Sequence, residues 1–398
     1  MALATELATA VGAEHVDRLD ETSWRVTPGS AAEVAEVIRR AAKVKAAIHP
    51  LGAGGRPISG ITDRVRVFIA TRRLDQVIQL DETSLLVHVQ AGLTGLELER
   101  ILAPRNLSLG DYPPGVLTSS LGGILAVRTP GKSSARHGFF EDAVVGVSAV
   151  LADGRTVHTR VAPRRSTGPD LARALCGSEG TIGFITSAVL RIHLRPEARL
   201  VAAYRLPSVD AAISAIYLAL REEAAPSGVR IYDAAEAAQH YPGAAIPAGE
   251  ALICAGTAGP TDLAACDRDL ITRAVLAEGG AHADPALAEL WWRRLHAGEP
   301  TPGPAPTLQV MATRSKLRPV YAAVTALGAR AHISRFDADG AVMFFTLDRP
   351  DELAAAEAAA QAAGAWLLGA RATKLDSYLR ALRAALDPDD VMNPGTLA

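Results

Sequence analysis

Three glycine-rich segments follow one another along the chain, and their composition suits contact with a phosphate group. The first runs from Pro50 to Gly60, the second from Gly110 to Gly123 and the third from Gly177 to Gly183. Glycine has no Cβ, so backbone N–H groups can come close to a diphosphate and bind it. One such segment alone fits an ordinary turn equally well, but three in succession favour a diphosphate-binding site.

The glycine spacing differs from that of the common nucleotide-binding motifs. It does not match the Gly-x-Gly-x-x-Gly fingerprint of Rossmann folds, and no acidic residue follows at the distance which that fingerprint requires. The complete Walker pattern of a P-loop is also absent from the sequence. A cofactor bound by these segments therefore needs a different fold.

Charge and cysteine content narrow the class of protein. The 398 residues include 41 basic and 43 acidic side chains, a formal net charge of -2, which argues against nucleic-acid binding. The cysteines, Cys176, Cys254 and Cys266, are too few and too scattered for a disulfide framework or a cysteine-based metal site. Because no signal peptide and no long apolar run are visible, we expect a cytoplasmic protein without a membrane span or a metal.

Short strands and helices alternate through the first half of the chain. Apolar residues at helical spacing predict a helix over Ala31–Val44, and a buried strand from Ala46 then leads into the first glycine segment. The turn dipeptide Asp153–Gly154 predicts a hairpin between strands at 143–152 and 156–160. This alternation is typical of α+β or α/β domains.

The pattern of predicted strands and helices changes beyond Pro196. Strand–helix–strand units repeat there and predict a second α+β layer structure. An amphipathic helix is predicted over Leu375–Ala385, near the end of the chain. We therefore expect an α+β protein with domains at residues 1–197 and 198–365, followed by a separate C-terminal segment at 366–398.

Several motifs, taken in order, resemble those of a known family. They are Pro50-x-Gly52-x-Gly54, Ser119-Ser120-Leu121-Gly122-Gly123-x-x-Ala126-x-Arg128, Gly177-Ser178-Glu179-Gly180-Thr181-Ile182-Gly183, and the ending Asn393-Pro394-Gly395. The set resembles the FAD-binding domain of the vanillyl-alcohol oxidase/p-cresol methylhydroxylase (PCMH) superfamily, nearest the alkyldihydroxyacetonephosphate synthase and the glycolate and D-lactate oxidase flavin-subunit branches. The resemblance implies a PCMH-type FAD domain of two subdomains, a cap domain over the flavin ring, and a C-terminal segment that packs back on the FAD domain.

The same resemblance implies which residues bind FAD. They are Pro50, Leu51, Gly52, Ala53, Gly54, Gly55, Arg56, Pro57, Pro114, Thr118, Ser119, Leu121, Gly122, Gly123, Ala126, Arg128, Ser134, His137, Gly138, Glu179, Gly180, Ile182, Gly183 and Ile185. Branches with a tethered flavin can carry a histidine in the first loop, at a position that corresponds to Gly55 here. We therefore expect FAD to bind non-covalently, with His49 a core or edge residue of the preceding strand.

The substrate side carries fewer signals. The segment around Arg230 resembles the synthase branch's substrate-binding arginine, which implies an anion site over the flavin. The histidines that the family carries before its last helix are missing, and phenylalanine stands in the strand Ala341–Phe345 where the synthase branch has tyrosine. Candidates to replace these proton-handling groups lie in the cap, at His332 beside Arg335 or at His240–Tyr241. Arg371 occupies the region of the missing histidines and is a candidate for binding an anion.

The leading hypothesis is an FAD-dependent oxidase or dehydrogenase that acts on a small hydroxy acid or a related polar metabolite, transferring hydride to flavin N5. A second hypothesis is the flavin subunit of a multi-protein complex like glycolate oxidase, which needs a partner subunit or electron acceptor. A third is a redox-neutral biosynthetic reaction like that of the synthase branch. The family resemblance also implies a homo-oligomer.

Overall fold

The computed structural model describes residues 2–53, 63–110, 112, 114–128, 134–162, 169–297, 306–368 and 377–396. The chain separates into two compact units. The first unit comprises Met1–Gly131, Gly138–Leu194 and Thr373–Ala398, and the second comprises Lys132–His137 and Arg195–Ala372. None of the described helices has an apolar run long enough to cross a membrane.

Strands of the first unit form a parallel-centred sheet, an antiparallel sheet and a small ribbon. The sheet orders are β1-β2-β4-β3, β5-β6-β10-β8-β9 and β11-β7. The strands are β1 (Val16–Arg18), β2 (Ser23–Val26), β3 (Ala47–Leu51), β4 (Arg66–Ala70), β5 (Val77–Asp81), β6 (Leu86–Gln90), β7 (Leu107–Ser108), β8 (Val144–Val150), β9 (Thr156–His158), β10 (Phe184–Arg191) and β11 (His193–Leu194). Strand β4 pairs in parallel with both β2 and β3, so the carboxyl ends of these strands meet at one edge.

The first part of the chain also forms helices. They are α1 (Ala2–Val11), α2 (Ala31–Lys43), α3 (Gly95–Leu102), α4 (Pro114–Leu117), α5 (Leu121–Ala126), α6 (Ser134–His137) and α7 (Leu171–Leu175). Ser30 caps α2 by accepting a hydrogen bond from the Glu33 N–H, as its position before an amphipathic run predicts. Apolar residues of α1 and α2 pack on the first sheet, and those of α3, α5 and α7 pack on the second.

The second unit is built on one eight-stranded sheet with the order β15-β12-β14-β13-β17-β18-β16-β19. Its strands are β12 (Ala198–Leu206), β13 (Gly228–Asp233), β14 (Ala251–Gly259), β15 (Ala281–His282), β16 (Thr307–Thr313), β17 (Arg330–Ser334), β18 (Gly340–Thr346) and β19 (Trp366–Leu367). Its helices are α8 (Val209–Arg221), α9 (Ala234–His240), α10 (Thr261–Ala277), α11 (Pro285–Ala297), α12 (Leu317–Thr325) and α13 (Leu353–Ala362). All the strand pairs of this sheet are antiparallel.

The two faces of this sheet have different surroundings. Val229 and Ile231 of β13 lie in the large core with α8, α10, α12 and α13. Tyr232 packs instead in a smaller cluster with Ala237 of α9 and Trp291 of α11. Because successive strand residues point to opposite faces, Arg230 shares with Tyr232 the face that α9 covers.

The chain ends in helix α14 (Ser377–Leu386), which belongs to the first unit. Val391 accepts a hydrogen bond from Ile48 of β3, and the Asn393 N–H donates to the Ile48 carbonyl. Asp387 holds this segment in shape, because its carboxylate accepts bonds from the N–H groups of Val391 and Met392. The terminal segment therefore extends the exposed edge of β3.

The predicted α+β fold class is confirmed. Two details of the division differ from the expected borders, since residues 132–137 belong to the second unit and that unit extends to Ala372. The first difference has a local cause, because Arg136 of α6 donates a hydrogen bond to the Ala258 carbonyl of β14. Hydrophobic periodicity cannot reveal such a short excursion of the chain.

Candidate functional site

The first glycine segment begins where β3 ends. Gly52 lies against Ser120, and a Cβ at position 52 would overlap the Ser120 Oγ. That Oγ already has a partner, since it caps α5 by accepting the N–H of Gly123 at 3.3 Å. The first and second glycine segments are thus in contact, at a spacing that only glycine allows at position 52.

The third glycine segment joins the other two. Gly180 has a φ of +78° and lies so close to Pro50 that a Cβ there would be 2.7 Å from the Pro50 Cγ. The Glu179 N–H donates to the Ala126 carbonyl of α5 at 2.9 Å. Three segments that are each about fifty residues from the next along the chain therefore meet at the carboxyl end of β3, where open sheets with parallel strands commonly bind ligands.

Arg128 braces the second segment against the chain that leads into the third. Its Nε donates to the Cys176 carbonyl and its Nη2 to the Arg173 carbonyl, each at 2.9 Å. Its φ of +49° is in the left-handed region, which is uncommon for a residue with a side chain. Through these hydrogen bonds Arg128 stabilises the first unit.

Asn393, near the end of the chain, connects β3 with the third glycine segment. Its Nδ2 donates to the Glu179 carbonyl at 2.6 Å, and its Oδ1 accepts from the His49 Nδ1 at 2.8 Å. The side chain of His49 is buried and stacks on Phe68, and burial lowers its pKa. Because Nδ1 carries the proton, Nε2 is a buried acceptor, and it has no partner among the described residues.

The first unit fits FAD on three observations. Its glycine segments converge, the buried Nε2 of His49 is available to a donor, and a cavity of about 520 Å³ adjoins Leu51–Ala53. The cavity wall includes the guanidinium groups of Arg25, Arg72 and Arg73 and the carboxylates of Glu14 and Asp17, and the excess of positive charge suits a diphosphate. A cavity of this size lies within the usual range for small-molecule sites.

Other predicted FAD residues take different places. Leu121, Ile182 and Ile185 have their side chains in the hydrophobic core, so only their backbone could contact a ligand. Thr118 and Ser119 connect α4 with α5, where Gly122 and Ala126 also lie, and Gly138 (φ +73°) and Gly183 belong to the first unit as well. Ser134 and His137 are in α6 of the second unit, and Pro114 begins α4. Gly54, Gly55, Arg56, Pro57 and the predicted catalytic Arg371 lie outside the described residues.

The second unit gathers polar and aromatic side chains on the face of its sheet that α9 covers. Tyr232 of β13 is paired with His332 of β17, which is paired with Phe344 of β18. The His332 ring stacks on Phe344 at 4.6 Å between centroids. Arg230 follows the same alternation along β13, and its Nη1 donates to the Tyr232 hydroxyl at 3.4 Å.

Arg335 joins this cluster through an unusual backbone conformation. Strand alternation would turn it away from the face of His332, but its φ of +55° breaks the alternation. Its guanidinium lies 5.1 Å from the Phe344 ring centroid, and burial followed by the charge of Arg230 lowers its pKa to about 10. A left-handed residue with a side chain costs about 1–2 kcal/mol, which points to a functional use of this placement.

Arg230 and Arg335 thus place two half-buried guanidinium groups in one cluster. Within the described part of the chain, no carboxylate forms an ion pair with either of them. Buried cations without a counter-charge are costly, and a bound carboxylate or phosphate offsets that cost. The cluster is therefore suited to an anion.

Glu236 holds two histidines of this cluster. Its Oε1 accepts from the His332 Nδ1 and from the His240 Nε2, each at 3.1 Å. Burial would raise the pKa of Glu236, but the bonds from His240 and His332 hold it at about 2. Burial, followed by Arg230, lowers the pKa of His332 to about 4, so His332 is a neutral ring.

Glu236 is the residue of this cluster that the sequence analysis missed. Its spacing of four residues from His240 is the available signal, because such residues share one face of a helix. Asp233 caps that helix through the Glu236 N–H at 2.8 Å. His332 lies 96 residues from Glu236, and only the pairing of β13 with β17 shows that they meet.

A family profile described as an FAD-binding domain matches residues 23–160. The chain is a flavoprotein. The matched range contains the first two glycine segments, and the converging loops give the match a structural basis. FAD is therefore the cofactor, as the resemblance of the motifs implied.

Curated relatives of the flavoprotein support an FAD-linked oxidoreductase family. An alkyldihydroxyacetonephosphate synthase of Dictyostelium discoideum is 33% identical over 215 residues, which cover 53% of this chain and 35% of the relative. The uncharacterized FAD-linked oxidoreductase YgcU of Escherichia coli K12 is 32% identical over 169 residues, covering 42% and 35%. The glycolate oxidase subunit GlcD of Bacillus subtilis is 24% identical over 210 residues, covering 52% and 45%. The matches thus span roughly a third to a half of each relative's length.

Solved structures extend the likeness of the flavoprotein to the whole fold. An alkyldihydroxyacetonephosphate synthase structure has a TM-score of 0.74 at 23% identity, covering 93% of this chain and 76% of that one. A 4-ethylphenol oxidase structure from Gulosibacter chungangensis has a TM-score of 0.74 at 15% identity, covering 99% and 96%. At these identities the likeness concerns the fold alone.

The contact between Gly52 and Ser120 gives a first prediction. Gly52→Ala forces the Ser120 Oγ out of its cap, so we expect a loss of about 1–2 kcal/mol in the free energy of unfolding and a weaker hold on FAD. Ser120→Ala loses the same cap, and the double variant should be no less stable than Ser120→Ala alone. Urea unfolding and FAD titration of the apoprotein measure both effects, and simple additivity of the two substitutions would contradict this contact.

Proposed function

We propose that the flavoprotein is an FAD-linked dehydrogenase or oxidase of a small hydroxy acid or a related anionic metabolite, with FAD held non-covalently. One observation carries this proposal, namely the two guanidinium groups of Arg230 and Arg335 that have no carboxylate partner in the described residues. Arginine suits carboxylate and phosphate groups because its planar fork binds two oxygens at once.

The first unit contains the residues that bind the cofactor in this proposal. Backbone groups of the three glycine segments would bind the diphosphate, and the His49 Nε2 would be available to accept a hydrogen bond from the cofactor. When bound, FAD would supply the hydride acceptor for oxidation of a substrate C–H bond. A neutral His49 is the form that can accept, and its lowered pKa keeps it in that form.

The second unit contains the residues that bind the substrate in this proposal. Arg230 binds the anionic group, and Tyr232 fixes the guanidinium through the hydrogen bond to its hydroxyl. Arg335, stacked over Phe344, contributes a second cation. The hydroxyl proton of the substrate passes to the cluster of Glu236, His240 and His332, in which burial lowers the pKa of His332 and keeps that ring neutral.

Similarity to a glycolate oxidase subunit favours a second candidate, in which the flavoprotein works with partner subunits. Similarity to alkyldihydroxyacetonephosphate synthases favours a redox-neutral reaction. Both candidates keep FAD and the anion cluster, but neither requires a free hydroxy acid to reduce the flavin of the isolated chain.

Anaerobic bleaching of the flavin absorbance separates these candidates. We expect bleaching by at least one 2-hydroxy acid and not by the matched 2-hydroxy amide, because the amide lacks the charge that Arg230 binds. Bleaching by acid and amide alike would contradict the anion site. FAD that stays oxidised with every acid would exclude self-sufficient oxidation and favour the partner-dependent or redox-neutral candidates.

A further inference from the structure

Glu236, His240 and His332 bring three metal-ligand side chains together in the second unit. One ligand atom from each lies within 4.8 Å of the other two. Across the described residues, no other group of three or more histidine, cysteine, aspartate and glutamate side chains converges in this way. The carboxylate is buried, with a side chain only 2% exposed, whereas the two histidines retain 14% and 13% exposure.

The backbone fixes the three side chains from two directions. Asp233 ends β13 and caps α9, so Glu236 and His240 lie one turn apart on the same helix face. His332 reaches them from β17, which pairs with β13 next to the start of that helix. A site assembled from a capped helix and a paired strand is rigid enough to hold ligands in a fixed geometry.

The distances match coordination of a metal ion. The Glu236 Oε1 is 3.1 Å from the His240 Nε2 and 3.1 Å from the His332 Nδ1. Nitrogen and oxygen ligands about 2.0–2.2 Å from zinc lie about 3.0–3.5 Å from one another, so little movement is needed. Thr346 supports the carboxylate, since its hydroxyl donates to the same Oε1 at 3.1 Å.

The other oxygen of the carboxylate supports a bound cation. The Glu236 Oε2 is buried and has no hydrogen-bond partner among the described residues, while Oε1 accepts three donors. The nearest cationic group is the Arg330 Nε at 3.9 Å, which is beyond hydrogen-bond distance. An unsatisfied oxygen on a buried carboxylate is costly, and a metal ion that both carboxylate oxygens contact would remove that cost.

We propose that Glu236, His240 and His332 bind one divalent transition-metal ion. Two imidazole nitrogens and one carboxylate oxygen suit Zn²⁺, Fe²⁺ or Mn²⁺, whereas Ca²⁺ and Mg²⁺ prefer sites built from oxygen alone. Three protein ligands leave coordination positions open, as in catalytic rather than structural metal sites. An open position in this cluster, on the same sheet face as Arg230, suits an oxygen atom of the substrate.

Metal binding by the FAD-loaded, tag-free protein tests the proposal without any substrate, so the result is independent of the redox assay. After dialysis against a chelator, we expect the wild type to take up one Zn²⁺ per chain in competition with a chromophoric chelator. Glu236→Gln and His240→Gln should each weaken that binding about 100-fold or more, and Thr346→Val about tenfold. His282→Gln removes an exposed histidine of the same unit and should bind Zn²⁺ like the wild type.

Circular dichroism and thermal melting of the metal-free variants check their folding. Glu236→Gln keeps the shape of the side chain, and His240→Gln alters a partly exposed position, so at least one folded variant is available. If Glu236→Gln does not fold, the comparison of Zn²⁺ binding between His240→Gln and the wild type tests the proposal by itself. Equal Zn²⁺ binding by the wild type and His240→Gln, or no binding by the wild type, would overturn the proposal and leave a hydrogen-bonded cluster.

Discussion

Arg230→Gln is expected to slow reduction of the flavin by the best hydroxy acid by about 30-fold to a few thousand-fold. The guanidinium of Arg230 donates to the Tyr232 hydroxyl and has no carboxylate partner in the described part of the second unit. A substrate carboxylate bound there forms a desolvated ion pair, and removing one partner of such a pair costs about 2–5 kcal/mol. The substitution also removes one of the two guanidinium groups of the cluster that have no carboxylate partner among the described residues, and Arg335 remains.

Stopped-flow photometry under anaerobic conditions measures this effect as the second-order rate constant of flavin reduction. Arg230→Lys keeps the charge but loses the planar fork, so it should recover only part of the rate. Arg205→Gln is a matched control, because Arg205 is half exposed and forms an ion pair with Glu250, which immediately precedes β14. A rate for Arg230→Gln equal to that of the control would remove Arg230 from the substrate site.

A substitution of Arg335 tests the second guanidinium group independently of Arg230. Arg335→Asn should retain the left-handed backbone, because asparagine tolerates that conformation better than other residues with a side chain. Its effect on the rate therefore reports the lost cation rather than a backbone change. The sequence placed Arg335 beside His332 but could not predict its direction, since the break in strand alternation is a property of the backbone.

The fold class could be predicted from sequence because its signals are local, and the cofactor because the motifs resemble those of a known family. Each glycine segment is contiguous, and the order of the three segments is visible without any structure. The capped helix at Ala31–Lys43 and the Asp153–Gly154 hairpin follow from short-range rules of the same kind. Residues that act through short loops are therefore within reach of sequence reasoning.

Contacts between distant segments could not be predicted from the sequence. His49 reads as a core or edge residue, and nothing near it in sequence indicates a bond to Asn393, 344 residues later. Glu236 likewise gains its meaning only when β13 and β17 pair and bring His332 to it. Such contacts depend on strand order and register, which propensities and hydrophobic periodicity do not encode.

Asn393→Gly is expected to weaken FAD binding by about tenfold to several hundredfold. The side chain of Asn393 joins His49 of β3 to the Glu179 carbonyl of the third glycine segment. Its removal leaves a buried donor and a carbonyl without their partner, at roughly 1–3 kcal/mol for a buried unsatisfied group. Both groups belong to segments that we propose hold the cofactor, so the loss should appear in FAD affinity as well as in thermal stability.

Glycine is the informative substitution because Asn393 has a φ of +44°, a conformation that alanine adopts only with strain. Asn393→Gly therefore removes the side-chain bonds alone, and Asn393→Ala should be worse by the cost of the strained backbone. Asp389→Asn is the control in the same segment, since its exposed pair with Lys45 contributes little. Fluorescence titration of the apoprotein with FAD measures the affinities. If Asn393→Gly binds FAD as tightly as Asp389→Asn, the terminal segment only closes the fold, and His49 and the third glycine segment hold the cofactor without it.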